Sequence, residues 1–468
     1  MQSPFVLVAL LLFSIESHLS ASQHWIHLTS RHFEMYTTNN EQQGVAALNR
    51  LEQVRSFFGE SNDVPVQIVA FQSAKEFNPY RFNQGAIAYY LRSRKMDYIV
   101  MQDIKPEHYA TAVHEYAHLV MEHQNVKLPL WLSEGLADLS GSLVSGANEA
   151  MAGQVMVLHS QRWLDLPGLF AVKQSSPYYN ESDKMPIFYS ESSALTQMLA
   201  LGSGYRVDFA RFLAAVASGQ SAAECLQTIY GKTLWQVTMD LHAYLKEASL
   251  QANLFNVTLP PADHEMKIAK ASPLSVELIL TDLLASQKST LAQASKRLSK
   301  LAARHPECAE VQESLGYVAW DEGDQVRARQ SFKLAQDGGS ENAQMLVQYA
   351  QLLRASGAPV EQMLPTLRRA VAVKPDNQDA WFNLGMTETA AHHFEEALKA
   401  FGHLTSVTAE HAYSLFSTQA YCYLKTNAAA SARMHAEKAK QYASTSDEQY
   451  RLSNLLRVVD SIEQPALR

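Results

Sequence analysis

Apolar and polar residues alternate over Phe33-Glu34-Met35-Tyr36-Thr37, the period-two pattern of a half-buried strand. Helical spacing predicts a helix from Gln42 to Phe58, and the apolar run Val64 to Phe71 predicts a second strand. Gly85 to Leu91 and Tyr98 to Met101 read as two more strands, joined by the polar turn Arg92-Ser93-Arg94-Lys95. Pro106 to His123 follows as a helix, with Pro at its first position and acidic Glu107 beside it. Its interior is apolar on most sides (Ala110, Val113, Ala117, Leu119, Val120, Met121), as suits a helix through a core. Gln124 to Leu128 is a polar connection, and Pro129 reopens the chain before a second short helix at Trp131. From Met151 to Leu250 the pattern is mainly helical, with a loop at Gln174 to Pro186 and an apolar helix that Tyr189 begins.

The C-terminal half repeats itself. Leu315-Gly316, Ala328 and Phe332 recur as Leu384-Gly385, Ala397 and Phe401, with Trp381 three positions before the second Leu-Gly. Tyr349-Ala350 falls halfway, and Pro306 and Pro375 punctuate equivalent turns. The period of about 34 residues resembles tetratricopeptide repeats. A degenerate first unit fits Val276 to Pro306 and a last one fits Ala412 to Ala443, giving four or five helical hairpins in a right-handed solenoid. Each hairpin hides its small and aromatic residues only against its neighbours, which is why such units come in arrays. Pro260-Pro261 marks the linker between halves.

Length and composition narrow the function. At 468 residues, 47% hydrophobic and 18% charged, the chain accommodates two or three ordinary globular domains. A net charge of −8 disfavours nucleic acid as a partner, and no Gly-rich phosphate loop is present. Phe5 to Ile15 is an apolar run of the length of a signal h-region, and Ser20-Ala21-Ser22 offers small residues for cleavage. These predict an exported protein, periplasmic or extracellular, with no stable membrane anchor after cleavage. Cys225, Cys308 and Cys422 lack C-x-x-C spacing and read as small buried residues.

The chemistry lies in His114-Glu115-Tyr116-Ala117-His118, followed by Glu134 in Trp131-Leu132-Ser133-Glu134-Gly135-Leu136-Ala137-Asp138. Residues i and i+4 share a helix face, so His114 and His118 aim at a common ion, while Glu115 reaches water beside it. Glu122 and His123 lie too far along the helix to complete the set, and Asn125 stands where an H-E-x-x-H-x-x-G-x-x-H pattern needs histidine. Glu134 is therefore the best third ligand for Zn2+, leaving the fourth position for water. Asp138, four residues on, either accepts the second ring proton of a ligand histidine or is a solvated helix residue.

These residues resemble the gluzincin branch of zinc peptidases, the thermolysin-like peptidase MA superfamily. More narrowly they are similar to bacterial exported proteins that join a peptidase-MA-like domain to tetratricopeptide repeats. His32-Phe33-Glu34-Met35-Tyr36-Thr37 and Phe188-Tyr189-Ser190-Glu191-Ser192-Ser193-Ala194-Leu195 extend the likeness over roughly residues 25 to 250. The spacing from His118 to Glu134 is tighter than in the thermolysin-like prototypes, so the connecting loop is minimal.

The resemblance implies an α+β zincin-like peptidase domain followed by an all-α repeat solenoid. Its expected layout is a signal peptide at 1–22, the peptidase domain at 23–258, a linker at 259–274 and repeats at 275–468. It implies peptide-bond hydrolysis by metal-activated water, with Glu115 as general base and a hydroxyl stabilising the oxyanion. Tyr189 is the first candidate for that hydroxyl and Tyr178 and Tyr179 the next; a packing role for Tyr189 is the alternative. It also implies that the strand just before the active helix is the sheet edge that pairs with substrate, an ordinary structural strand being equally compatible. The repeats would recruit a protein partner or substrate. The competing expectations are an inactive peptidase-fold scaffold whose repeats do the binding, and an amidase acting on cell-wall peptide.

Overall fold

The computed structural model describes residues 24–55, 66–82, 85–93, 95–124, 126–142, 144–145, 149–152, 163–181, 183–248, 253–256 and 266–463. The expected signal segment lies outside the described residues. Two compact units emerge: one runs through Leu91 and over Asp97–Ser272, the other comprises Arg92–Met96 and the chain from Pro273 onward.

The first unit opens with β1 (Ile26–Thr29), β2 (Phe33–Thr37), α1 (Glu41–Arg55), β3 (Val66–Ala70), the short α2 (Ala74–Phe77), β4 (Ala88–Arg92) and β5 (Asp97–Met101). After a 3-10 turn at Pro106–His108 come α3 (Tyr109–His123), α4 (Leu130–Gly141), β6 (Val144–Ser145) and β7 (Glu149–Ala152). Next are α5 (Leu166–Phe170), α6 (Pro177–Asn180), α7 (Met185–Leu201), α8 (Phe209–Ala217), α9 (Ala222–Tyr230), α10 (Leu234–Ala248), β8 (Asn253–Asn256) and β9 (Lys267–Lys270). Six strands form a mixed sheet in the order β4-β5-β3-β2-β1-β9, and β6-β7-β8 form a small second sheet. β2, β3 and β5 run parallel, whereas β1 pairs antiparallel with both β2 and β9.

Two expectations change here. The strand before the active helix, β5, is internal; the edge is β4, because the polar turn after Arg92 brings the chain back with β4 on the outer side of β5. The segment expected as linker, 259–274, contributes β9, whose residues pair Lys270 with Ile26 through to Lys267 with Thr29. β9 is exposed and carries Lys267 and Lys270, charges that discourage further pairing at an open edge. β9, Lys-Ile-Ala-Lys, lacks the alternating run of a half-buried strand and did not stand out in the sequence.

The sheet packs on α1 and α3 through Phe33, Met35, Leu48, Ile68, Ile99, Val113, Tyr116 and Val120. Helical period therefore divides α3: Val113, Tyr116 and Val120 face the sheet, leaving His114, Glu115 and His118 on a cleft. A second core of Trp131, Leu132, Phe188, Leu195, Met198 and Phe212 unites α4 with α7 and α8. Two glycines set how closely α4 approaches its neighbours. A Cβ on Gly135 would lie 2.1 Å from Thr196 Oγ1 and 2.5 Å from the Ser192 carbonyl oxygen on α7. One on Gly141 would lie 2.6 Å from the Ala110 carbonyl oxygen on α3. Glu134 is thus carried on a helix wedged tightly between α3 and α7.

The second unit stacks helical hairpins: α11 (Pro273–Ala285) with α12 (Leu291–Arg304), α13 (Ala309–Asp321) with α14 (Gln325–Asp337), α15 (Ala343–Ala355) with α16 (Val360–Val373). α17 (Gln378–Ala390) with α18 (Phe394–Gly402), α19 (Ala409–Lys425) with α20 (Ala429–Lys440), and a last helix α21 (Ser446–Glu463) complete it. The backbone carries the period directly. Gly323, Gly357, His392 and Asn427, at intervals of 34, 35 and 35 residues, all have positive φ at the turn inside a hairpin. After each, the next backbone N–H reaches back to a carbonyl five residues earlier, as in Asp324 to Ala319 and His393 to Glu388, closing the helix end. The Leu-Gly and Phe signatures also gain a physical reason. A Cβ on Gly316 would sit 2.3 Å from the Phe332 ring, and one on Gly385 2.4 Å from the Phe401 ring, so only glycine admits the ring. Trp381 Nε1 donates to the Pro375 carbonyl at 2.7 Å, and Gln312 Nε2 donates to that of Pro306 at 2.9 Å, the same bond 69 residues apart.

Candidate metal centre

α3 and α4 bring three side chains to one point. His114 Nε2 and His118 Nε2 lie 3.0 Å apart, and Glu134 Oε2 lies 3.3 Å from each. Ligands about 2.0–2.1 Å from a tetrahedral zinc ion are separated by about 3.3 Å, so this triangle has the edge lengths such an ion requires. The donor set, two imidazoles and one carboxylate, is also that of an open zinc site. Among the described residues, this is the one group of three or more His, Cys, Asp or Glu side chains whose ligand atoms converge in this way.

Neighbouring contacts orient the ligands. His114 Nδ1 lies 2.8 Å from Asp138 Oδ1, which selects the tautomer with the proton on Nδ1 and the lone pair on Nε2. Asp138, one helical turn beyond Glu134, contacts His114. His118 Nδ1 faces Ser133 Oγ at 3.5 Å, a distance too long for a strong bond. Tyr179 donates to Glu134 Oε1 at 3.2 Å, which leaves Oε2 directed at the imidazoles. We expect Asp138→Ala to weaken zinc binding about 10–100-fold, measured by competition with a chelator. An affinity within twofold of the parent would show that the Asp138 bond does not orient the ligand.

Protons and a cation compete for these atoms. Burial alone would pull the His114 imidazolium down, but its bonds to Asp138 and Glu134 outweigh that and raise it to about 10. Burial pushes Glu134 up, but bonds from the two imidazoles outweigh it and hold the carboxyl at about 2. A cation arriving here would compete with a proton favoured on His114, whereas Glu134 is held in its charged form.

Glu115 lies beside the triad on the cleft. The Tyr90 backbone N–H, on edge strand β4, donates to Glu115 Oε2 at 2.7 Å. Burial raises the Glu115 carboxyl above the usual range, opposed by the two histidines and the Tyr90 bond. A base moved towards neutrality is suited to proton transfer. Sequence reasoning missed Tyr90, since a backbone donor has no signature in residue type.

The cleft has a volume of about 1250 Å3, and its lining includes His114, Glu115, His118, Glu134, Asp138, Tyr179 and Tyr189. The rings of Tyr189 and Tyr179 stack at 6.1 Å, and the Tyr179 hydroxyl reaches Glu134. Tyr179 is therefore the hydroxyl in direct contact with the triad, with Tyr189 stacked behind it. All three tyrosines pack on the helical core, but Tyr178 does not line the cleft. Burial and then the charge of Glu134 raise both tyrosines, Tyr179 to about 12, so each remains a donor at neutral pH.

The geometry defines a His-His-Glu cluster whose ligand atoms converge closely enough to hold a metal ion, with a further carboxylate, Glu115, on the same cleft. Comparison with known proteins speaks to the other unit. The tetratricopeptide repeat family model matches residues 282–343, from α11 to the start of α15, so the second unit contains tetratricopeptide repeats. No curated protein matches the chain. Among solved structures, the chain is similar to YrrB, described as a TPR protein with an unusual peptide-binding site, at 22% identity. That likeness covers 38% of this chain and 90% of YrrB, with a TM-score of 0.34. MamA is 17% identical over 36% of this chain and 91% of its own, at 0.31. A MamA fragment from Desulfovibrio magneticus RS-1 is 16% identical over 37% and 97%, at 0.30. The repeat assignment rests on the family match and the 34–35-residue period, not on these scores.

Proposed function

We propose that the chain is a gluzincin-type zinc metallopeptidase whose tetratricopeptide repeats recruit a protein partner or substrate. The observation that carries the enzymatic part is the convergence of His114, His118 and Glu134 at zinc-ligand spacing, with Glu115 on the same cleft. The repeats support protein binding independently, since stacked hairpins of this family present extended surfaces for peptides and proteins.

Bound at this triad, zinc would polarise the scissile carbonyl and acidify the attacking water. Glu115 takes the water's proton on its carboxylate and returns it to the leaving amine. The Tyr90 N–H holds that carboxylate in place during both transfers. Tyr179 spends its one hydroxyl proton on Glu134 and so positions that ligand, which leaves Tyr189, on the same cleft wall, as the hydroxyl donor for developing oxyanion charge. We also carry forward export, from the apolar run Phe5 to Ile15. Among the described residues no helix is long and apolar enough to cross a membrane.

The second reading, an inactive peptidase-fold scaffold with working repeats, is the one the comparisons favour, because the family match falls wholly within the repeats. Metal analysis separates the two. The full-length protein should hold about one zinc and hydrolyse casein, lose activity to a chelator and regain it with zinc. Zinc affinity should fall as the pH is lowered, since the bonds from Asp138 and Glu134 favour the protonated form of His114 with which the ion competes. A protein without zinc and without hydrolysis would leave the binding-module reading standing.

A further inference from the structure

The turn that follows β4 is anchored at its tip. Arg92–Met96 belongs to the second unit, whereas the chain through Leu91 and from Asp97 belongs to the first. Ser93 closes the turn. Its Oγ donates to the Met96 carbonyl at 2.6 Å and accepts from the backbone N–H groups of Met96 at 2.9 Å and Lys95 at 3.2 Å. Lys95 then extends into an acidic pocket, where its Nζ lies 3.4 Å from Asp282 Oδ2 on α11 and donates to Ser314 Oγ on α13 at 3.3 Å. Glu313 and Ser314 are buried, and Glu313 is itself held by Ser340 and Asn342. Burial would lower the Lys95 ammonium, but Asp282 and Glu313 outweigh it and raise it, so the side chain enters as a cation. Removing one partner of such a pair leaves the other charge uncompensated, which is why the anchor holds.

The strand that leads into this turn carries the donor to Glu115. The Tyr90 N–H, 2.7 Å from Glu115 Oε2, lies five residues before Lys95. β4 is the edge of its sheet, so β5 pairs with it on one side only. An edge strand lacks a second ladder of hydrogen bonds, and the turn that ends it becomes a main constraint on its position.

We propose that Lys95 is a positioning residue for Glu115: by fixing the turn after β4 it keeps the Tyr90 N–H on the carboxylate that serves as base. The proposal rests on the metallopeptidase reading, which gives Glu115 that role. Lys95 touches neither the metal ligands nor the cleft lining, so it acts only through the strand. The Ser93 bonds make the turn stiff enough to pass on the constraint, since they tie the residue after β4 to the residue before β5.

The test follows amide hydrogen exchange by mass spectrometry in the full-length, zinc-loaded protein with Lys95→Met, Asp282→Asn or Lys95→Arg. Lys95→Met keeps the aliphatic stem and removes the cation, and Asp282→Asn removes its partner. Each should quicken exchange of the fragment spanning Ala88–Arg92 about tenfold, with β3 unaltered. Lys95→Arg, which keeps the cation, should exchange like the parent. In peptide hydrolysis by Lys95→Met, kcat should fall about tenfold with KM within about twofold, as when one hydrogen bond to a charged group is weakened. Unchanged exchange of the β4 fragment overturns the proposal, as does faster exchange throughout the first unit, which would make the ion pair merely structural. Should Lys95→Met fail to fold, Asp282→Asn alone decides between these outcomes. Parent-like turnover despite quickened β4 exchange overturns the positioning role and leaves the peptidase reading intact. Quickened exchange confined to β4, with no hydrolysis even by the parent protein, removes the peptidase reading and keeps Lys95 as the anchor of the Tyr90 donor.

Discussion

Glu115→Gln should lower peptide hydrolysis by about 10²–10⁴-fold with zinc content unchanged. The substitution keeps the side chain's shape and removes its capacity to take a proton. Its neighbour Tyr90 can still donate to the amide oxygen, so the side chain should keep its place on the cleft wall. The triad does not include Glu115, so metal analysis should give the same stoichiometry for both proteins. Unaltered turnover would exclude Glu115 as the base. Loss of zinc together with activity would show that Glu115 supports the metal centre itself, and the assigned division of labour would fail.

The largest effect on stability is expected in the repeats. Phe332→Ala should destabilise the second unit by about 3–5 kcal/mol, read as a lower denaturation midpoint by circular dichroism. Phe332 is fully buried, and its ring occupies the space that Gly316 leaves open on the facing helix. Truncation leaves a cavity that neither helix can fill, because backbone of α13 forms one of its walls. Repeat arrays hold each hairpin only through its neighbours, so loss at α14 weakens both adjoining interfaces. Zinc stoichiometry should stay the same, since the metal ligands lie in the first unit. A midpoint shift corresponding to less than 1 kcal/mol would mean that the ring is not the packing element.

Much of this was legible in residue order. The spacing of His114 and His118 is a property of one helix, and Glu134 and Asp138 share a face of the next, so local periodicity was enough to nominate them. The repeat register was readable from Gly316 and Phe332 against Gly385 and Phe401, because side-chain volume at a close helix crossing leaves a mark in composition. His392 was less transparent. Its residue type gives no turn signal, yet its backbone takes the same left-handed turn as Gly323 and Gly357. Conformation at such a turn is imposed by the hairpin, and histidine tolerates it at a cost that residue type does not announce.

The sequence by itself nominated the candidate ligands, their helical spacing and the candidate base, and it determined the period of the repeats. These depend on neighbours a few residues apart, where helix geometry is nearly invariant. Only the tertiary structure decided that β4 rather than β5 forms the sheet edge, and that β9 closes the other side. It alone decided that Tyr179 touches Glu134 ahead of Tyr189, and that a backbone N–H steadies Glu115. Those arrangements follow from how turns route strands and how tightly Gly135 and Gly141 let helices approach. They join residues far apart in the chain, whose meeting is set by packing of the whole unit and not by any local pattern.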